Sequence, residues 1–290
     1  MNNFLLRGLL KKPAVRFALA DSTALCNQVI KLHDADPAGA AVLAELLASV
    51  SLFQVLLDQE ESCCVRLEYP GKAGKLIADV NAAGEVRAMP SAPHLGMLPL
   101  DPDQIYGETP ARIGVIKSEN GRILNAGETA GNLASPASDL AFFLSTSDQV
   151  ETGINCALQF QPDPAQPLVQ ATALMIQALP DCDLEEFELM RKKLEAADFR
   201  NLLLQTGATA EDFAAFLLKS LGADTSLANL VTAEQSAPRF ACRCSRKKLL
   251  DALASIRREE LDDILRERGE LILHCEFCRQ EYRFTEKDLA

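Results

Sequence analysis

The sequence has little positive charge. Its 290 residues include 29 Lys and Arg against 41 Asp and Glu, so the net charge is −12. Residues 239–290 carry twelve of the basic and eleven of the acidic residues, and the negative excess therefore lies in the first 238 positions. Proteins that wrap a nucleic-acid backbone present a basic face. The charge distribution therefore argues against nucleic acid as a partner.

The sequence also lacks the common catalytic motifs. It has no phosphate-binding glycine loop, no Ser-His-Asp order and no paired-carboxylate site, and His33, His94 and His274 stand singly. The first twelve residues contain no apolar segment followed by small residues, which a cleavable secretory signal would have. We therefore expect a protein that is not an enzyme, in a cytoplasmic setting.

One stretch is nearly free of charge. Residues 37–57 contain Glu45 as their one charged residue, and the stretch is long enough to cross a membrane as a helix. Ser49, Gln54 and the absence of basic flanks favour a helix buried in a soluble core. Asp36 followed by proline is a typical helix start, with Asp36 as the cap. We expect no membrane association.

Hydrophobic periodicity predicts an α+β fold. Predicted strands lie at 15–20, 63–69, 75–80, 85–89, 111–117, 122–125, 153–160, 169–178, 271–273 and 282–284, and predicted helices at 21–33, 37–57, 136–145, 183–205, 210–221, 246–255 and 259–268. A loop is predicted around 90–110, a tight turn at Asn120-Gly121, and a hairpin around the last pair of cysteines. We expect an N-terminal α/β domain over residues 1–180 with mixed, largely antiparallel sheets. A helical linker over 181–238 and a small C-terminal domain over 239–290 follow.

The linker helices have few neighbours apparent in the sequence. Their apolar positions are Leu184, Phe187, Leu194, Phe213, Phe216 and Leu217. Helices of this length are marginal alone in water. We therefore expect them to dock on an open face of the N-terminal sheets, with 223–238 as an irregular linker.

Nine cysteines, an odd number, indicate a reducing compartment and not a secreted disulfide framework. Four of them form two close pairs, Cys242-Arg243-Cys244 and Cys275-Glu276-Phe277-Cys278, thirty residues apart. The two-residue gap of the second pair is the common zinc-knuckle spacing, and the one-residue gap of the first pair is much rarer. Four soft thiolates together favour a tetrahedral Zn²⁺ site. His274 adjoins Cys275, but we expect it to be a neighbour of a site already completed by sulfur.

The other five cysteines have simpler interpretations. Cys26, Cys156 and Cys182 are predicted to be small apolar residues in or near the core. Cys63 and Cys64 are adjacent in a predicted strand, so their side chains point to opposite faces. We expect no chemistry from any of the five.

The C-terminal motif resembles that of the 33 kDa chaperonin family, redox-regulated heat-shock holdases found mainly in bacteria. The resemblance lies in Cys242-Arg243-Cys244-Ser245 and in the stretch from Cys275 to Phe284, which carries the second pair and then Tyr282 and Phe284. It is specific in the C-terminal domain and weaker, though collinear, elsewhere. The chain departs from the family pattern at Thr172-Ala173 and at Asp148, which stand where the family has a Gly-Gly pair and a glutamate.

The resemblance implies a redox-controlled, ATP-independent holdase. When reduced and zinc-bound, such a protein is inactive. Oxidation by peroxide or hypochlorite would form disulfides Cys242–Cys244 and Cys275–Cys278 and release zinc. The linker would then unfold, the protein would dimerise and bind unfolding client proteins, and ATP-dependent foldases would receive those clients. Because a CxxC disulfide closes a larger, less strained ring than a CxC disulfide, we expect Cys275–Cys278 to form first.

Two other functions remain open from the residues alone. A structural zinc-ribbon module that binds proteins without redox control would share the same four cysteines. A thiol-disulfide oxidoreductase would use a CxxC at a helix N-terminus in a thioredoxin-like setting, which this spacing does not favour.

Overall fold

The computed structural model describes residues 3–96, 99, 101–253 and 258–288. The chain divides into two compact units, Met1–Phe240 and Ala241–Ala290. Secondary structure in the described residues is mixed α and β, which confirms the predicted fold class. The division of the first unit into a domain and a separate linker stays a prediction.

The strands of the first unit are β1 (Phe4–Leu10), β2 (Val15–Asp21), β3 (Glu61–Glu68), β4 (Lys75–Asn81), β5 (Glu85–Pro90), β6 (Ala111–Glu119), β7 (Arg122–Gly131), β8 (Thr152–Phe160), β9 (Leu168–Ala178), β10 (Leu230–Gln235) and β11 (Arg239–Phe240). In the described chain they form two sheets. The first sheet has the order β10-β1-β2-β9-β8 and is antiparallel throughout. The second has the order β11-β5-β4-β3-β6-β7, in which only the β11–β5 pair is parallel.

The helices of the first unit are α1 (Thr23–Leu32), α2 (Pro37–Ser51), α3 (Pro102–Tyr106), α4 (Pro136–Thr146), α5 (Leu184–Glu195), α6 (Phe199–Leu203) and α7 (Ala210–Leu221). As predicted, Asp36 caps α2, accepting a 2.7 Å hydrogen bond from the Gly39 amide. Ser135 caps α4 in the same way, through the Ser138 amide. The predicted Asn120-Gly121 turn joins β6 to β7, with both residues at positive φ.

The main core lies between α1, α2, α4 and the facing sides of both sheets. The uncharged stretch forms α2 and a 3-10 turn, Leu52–Leu56. This segment is long and apolar enough to cross a membrane, but most of it is buried inside the protein. It is therefore a core helix of the first unit. Its single charge, Glu45, accepts a hydrogen bond from the Ser135 hydroxyl, and burial raises the pKa of that carboxyl.

A second core lies on the opposite face of the first sheet, where α5, α6 and α7 dock. The predicted apolar faces are mostly correct: Phe187, Leu194, Phe213 and Leu217 are buried against β1, β2 and β9. Leu184 and Phe216 are exposed, which corrects their assignment to the docked face. The sheet face that the sequence left without a partner is thus covered by these three helices.

Polar side chains of the sheet also hold these helices. The buried Asn155 amide of β8 donates a 2.6 Å hydrogen bond to the carbonyl of Leu194, in the last turn of α5. The amide of Gln170 on β9 donates to the carbonyl of Leu203 at 3.0 Å. Within the helical layer, Lys193 Nζ donates to the carbonyl of Leu221. These bonds satisfy helix-end carbonyls that have no partner within their own helix.

The structure corrects four details of the predicted secondary structure. Residues 4–10 form a strand that the sequence patterns did not indicate, and 223–238 includes strand β10, paired with β1. The loop predicted around 90–110 contains α3. The single helix predicted at 183–205 is broken between α5 and α6, where Ala196 has extended backbone.

The second unit is small. It contains α8 (Arg246–Leu253), α9 (Arg258–Arg268), β12 (Leu271–His274), β13 (Glu281–Phe284) and a final 3-10 turn, Glu286–Asp288. The predicted end of its first helix, residues 254 and 255, lies outside the described residues. Its described core consists of Leu253, Leu261, Leu265, Leu271 and Phe284. Such a core is small for a fifty-residue unit, and domains of this size usually need an additional source of stability.

We predict that Asn155→Ala lowers the free energy of unfolding by about 1–3 kcal/mol, because the Leu194 carbonyl loses its buried partner. Urea unfolding of the reduced chain, followed by circular dichroism, measures the change. Gln159→Ala, at the exposed end of the same strand, is the matched control and should change stability little. Equal stability of the two variants would contradict the role given to Asn155.

Candidate metal centre

The four paired cysteines meet in the second unit. Their sulfur atoms all lie within 4.8 Å of one another. The Sγ atoms of Cys242 and Cys275 are 3.7 Å apart, and those of Cys244 and Cys278 are 3.4 Å apart. Four sulfurs arranged tetrahedrally around an ion at about 2.3 Å would be separated by about 3.8 Å. The sulfur positions therefore fit a single tetrahedral metal ion.

The β12–β13 hairpin positions the second pair. The Cys275 amide donates to the Gln280 carbonyl at 3.0 Å, and the Arg279 amide donates to the Cys275 carbonyl at 2.7 Å. Arg279 has a φ of 55°, which lets the chain turn back toward β13. Within this turn the amides of Phe277 and Cys278 donate to the Cys275 sulfur, and the Gln280 amide donates to the Cys278 sulfur. Amide donors of this kind stabilise thiolates.

Tyr282 of β13 also contacts the cluster. Its hydroxyl oxygen lies 3.1 Å from the sulfur of Cys244, and its ring packs against the small leucine core. The hydrogen bond to Cys244 raises the pKa of Tyr282 to about 12. The sequence indicated an aromatic residue at this position but not a polar contact. The alternation of β13 indicates that Tyr282 lies on the same side as Phe284, which is buried in the core, but it does not indicate the contact with Cys244.

Two of the three arginines next to the cysteine pairs form ion pairs with carboxylates. A site of four thiolates and one divalent ion has a charge of −2, which Arg243, Arg246 and Arg279 could offset. Instead Arg246 pairs with Asp288 at 2.7 Å and lies over the Phe284 ring, and Arg279 pairs with Glu276 at 3.1 Å. The described contacts to the sulfurs include backbone amides at Cys275 and Cys278 and the Tyr282 hydroxyl at Cys244.

Burial raises the pKa values of the Cys275 and Cys278 thiols. In an ion-free cluster these two sulfurs would therefore be protonated near neutral pH. A coordinated cation has the opposite effect, because it holds the thiolate form. Metal binding should accordingly release protons and weaken as pH falls.

His274 was predicted to be a neighbour of the sulfur site rather than a ligand. His274 faces Glu281 across the β12–β13 pair, 3.9 Å from its carboxylate, and is not one of the four ligands of the cluster. None of the nine cysteines, all of which lie in the described residues, forms a disulfide. Burial raises the pKa values of Cys63 and Cys64 to about 12 and those of Cys26, Cys156 and Cys182 as well. Thiols held protonated in this way are poor nucleophiles.

Fold and site together define a class: a two-sheet α+β body followed by a small unit with a four-cysteine cluster. A model of the Hsp33 protein family matches residues 3–285. The chain therefore belongs to the Hsp33 family, and the resemblance noted at the C-terminal motif is confirmed.

The relatives agree with this assignment. The chain is 26% identical to the 33 kDa chaperonin of Bacillus velezensis, over 99% of this chain and 97% of the relative. It is 29% identical to the 33 kDa chaperonin of Desulfotalea psychrophila, over 93% and 90%. The crystal structure of the 33 kDa chaperonin of Thermotoga maritima has the same fold, with a TM-score of 0.82 at 20% identity over 100% of this chain and 97% of that one. The family is thus one of chaperones.

We predict one tightly bound metal ion per reduced chain, since four sulfurs converge on one point. Cys275→Ser should lower the metal content substantially, because it replaces a buried sulfur ligand with a harder oxygen. Elemental analysis of purified protein measures the content. Cys182→Ser, which alters a cysteine outside the cluster, is the matched control and should retain the full amount. Unchanged content in single serine variants of all four cysteines would contradict the assignment.

Proposed function

We propose that the chain is a redox-regulated, ATP-independent holdase, which binds unfolding proteins after its four clustered cysteines are oxidised. The resident ion is Zn²⁺, held by Cys242, Cys244, Cys275 and Cys278. One observation carries this proposal: four cysteine sulfurs, none in a disulfide, converge within 4.8 Å in a unit with a small described core, in a chain of a chaperone family. Loss of that convergence would remove the unit's main source of stability.

Zinc is preferred among thiophilic ions because its four-coordinate sites accept four sulfurs without a geometric penalty. When bound, it supplies a positive charge that keeps the sulfurs deprotonated, which is the form that oxidants attack. The amides of Phe277, Cys278 and Gln280 support the same form at the second pair.

The oxidative step is a two-electron reaction at each pair. A cysteine thiolate attacks one oxygen of hydrogen peroxide, the O–O bond breaks, and a sulfenic acid and hydroxide form. The thiolate of the second cysteine then attacks the sulfenic sulfur, and a second hydroxide leaves. Two protons from the buffer convert the two hydroxides to water, so each disulfide consumes one peroxide. The proposed products are Cys275–Cys278, formed first, and Cys242–Cys244.

The proposed moving part is the helical layer formed by α5, α6 and α7. Its helices are short, five to twelve residues, and depend on the apolar face of the first sheet and on bonds such as that of Asn155 to Leu194. Elements of low local stability are the ones that conformational switches use. Once oxidised cysteines no longer retain the ion, we propose that this layer undocks and exposes apolar surface.

Exposed apolar surface is the chemical basis of client binding. Undocking would uncover Phe187, Phe213 and Leu217 together with the sheet face beneath them, and such a surface suits unfolding proteins. The oxidised form is proposed to dimerise and later to release clients to ATP-dependent foldases. The proposed compartment is the cytoplasm, where cysteines are normally reduced and peroxide would oxidise them.

The test is light scattering from a thermally unfolding client such as citrate synthase, with the chain either reduced and zinc-loaded or treated with peroxide. We predict suppression of aggregation by the oxidised form alone, without ATP. In the Cys275→Ser, Cys278→Ser double variant, peroxide treatment should no longer change the suppression of aggregation. Cys182→Ser should behave as the wild type. Equal suppression by reduced and oxidised chains would favour the zinc-ribbon module without redox control.

Hydrogen exchange tests the moving part separately. On oxidation, residues 183–221 should lose amide protection while β2, β3 and β9 keep theirs, because the helices have few supports besides docking. Mass spectrometry of peptic fragments measures both regions in one sample. If a sample that holds clients keeps full protection over 183–221, client binding must take place on another surface.

A further inference from the structure

Two arginines lie on the same face of the first sheet. The antiparallel register of β1 and β2 pairs Arg7 with Ala18 and Arg16 with Leu9. The two arginines are therefore diagonal neighbours, and such neighbours lie about 7–8 Å apart, within reach of long side chains. Phe17, next to Arg16 in β2, is buried in the second core. Because side chains alternate along a strand, both arginines face away from the helical layer.

A groove lies over this face of the sheet. Its volume is about 420 Å³, which is within the range of small-molecule sites. Arg7 and Arg16 both line it, and among the described residues no aspartate or glutamate does. The apolar part of its lining consists of Leu9, Val55, Leu179, Val231 and Ala233. The groove thus combines two cationic side chains with an apolar wall.

A buried amide holds Arg16 in place. The Nε and Nη2 atoms of Arg16 donate to the Gln177 Oε1 atom, at 3.2 and 2.6 Å. Gln177 is 1% exposed, and its own amide donates to the Thr152 hydroxyl oxygen at 3.0 Å. These bonds fix the plane of the guanidinium where it lines the groove. Its Nη1 atom has no partner among the described residues and is free to donate to a ligand.

The charges of the two arginines are not balanced by any carboxylate in the described part of the chain. Arg16 is half-buried and bonds to a neutral amide, and burial lowers the pKa of its guanidinium. By contrast, Arg66, Arg112 and Arg191 each pair with a glutamate. Neighbouring like charges on a sheet repel each other, and a half-buried charge also loses hydration. A bound anion would offset both of these costs.

Arg16 also lines a second, smaller cavity, of about 210 Å³. The other charged residues of that lining are Lys117 and Asp148. Lys117 already pairs with Glu61 at 2.6 Å, and the Asp148 carboxylate would repel an anion. The larger groove, with two arginines and no described acidic lining residue, is therefore the better site for an anionic ligand.

We propose that the larger groove binds a small organic oxyanion, whose carboxylate or phosphate group lies between Arg7 and Arg16. The apolar body of this ligand lies against Leu9, Val55 and Leu179. Guanidinium groups recognise both kinds of oxyanion through paired N–H donors. All groove residues belong to the first unit and none is a cysteine, so the inference is independent of the proposed redox control.

Isothermal titration of the reduced, full-length chain with phenyl phosphate and with benzoate tests the proposal. We predict one site per chain, and the tighter of the two probes identifies the preferred oxyanion. Inorganic phosphate lacks the apolar body and benzyl alcohol lacks the charge, so each should bind about 10-fold more weakly or less. No saturable binding of either aromatic anion at millimolar concentration, or equal binding of either comparison probe, would overturn the proposal.

A pair of arginine variants tests the site. Arg7→Ala removes one of the two guanidiniums and should weaken binding of the tighter aromatic anion about 10-fold. Arg7 is exposed, so this change should leave the fold intact. Arg122→Ala is the matched control, because it removes an exposed arginine of β7 that does not line the groove. It should bind as the wild type does. Unchanged affinity in Arg7→Ala would refute the site.

A further variant keeps both arginines and blocks the groove. Val231, on β10 opposite Leu9, is 47% exposed, and Val231→Glu would place a carboxylate beside the arginines and abolish binding. Proton–nitrogen NMR of chains carrying isotope-labelled arginine should show the Arg16 Nε resonance shifting with phenyl phosphate in the wild type alone. If binding persists while this resonance stays in place, the ligand occupies another surface and the proposal fails.

Discussion

The size of the second unit is the constraint on which the rest depends. Its described core has five buried apolar side chains for about fifty residues, and burying one such side chain fully contributes about 1.5–3 kcal/mol. The entropy lost by ordering fifty residues is larger than such a core can offset. In the proposed zinc-bound form, four sulfurs around one ion supply the remaining stability, since structural zinc contributes roughly 10–16 kcal/mol of apparent folding free energy. On that proposal, chemistry at four atoms controls the folding of the whole unit.

The first unit, in contrast, is stabilised by a large hydrophobic core of its own. Its central helix, α2, is surrounded by residues of both sheets, and this core does not involve any of the four clustered cysteines. The five cysteines outside the cluster are held as thiols with raised pKa values, largely through burial. Burial thus keeps these five sulfurs protonated, whereas a cation bound at the cluster would hold its sulfurs as thiolates.

The helical layer of α5, α6 and α7 has an intermediate degree of support, between the large core around α2 and the small core of the second unit. It has a real apolar interface with the first sheet, yet its helices are short and several of its end carbonyls depend on single side chains such as Asn155 and Gln170. A layer of this kind is stable when docked and has little to hold it when undocked. This intermediate stability is the property that the proposed switch requires.

The sequence by itself determined the features that depend on local spacing. The two cysteine pairs and their closure by a hairpin, the capped starts of α2 and α4, and the Asn120-Gly121 turn all follow from residues close together in the chain. The alternating strands from β3 to β9 were found for the same reason, because period-two burial is readable within one segment. The four-cysteine cluster could therefore be predicted before any coordinates were known.

Only the tertiary structure decided the features that depend on distant partners. Strand β1 is recognisable because β10, more than two hundred residues away, pairs with it, and β10 itself lies in a segment that looked irregular. Leu184 and Phe216 belong to the apolar pattern of their helices but face outward, since the sheet beneath covers a narrower stripe. The Tyr282 hydroxyl reaches Cys244 across 38 positions of sequence, and no local pattern records that contact. Periodicity tells which residues share a face; the packing of one element on another decides what that face meets.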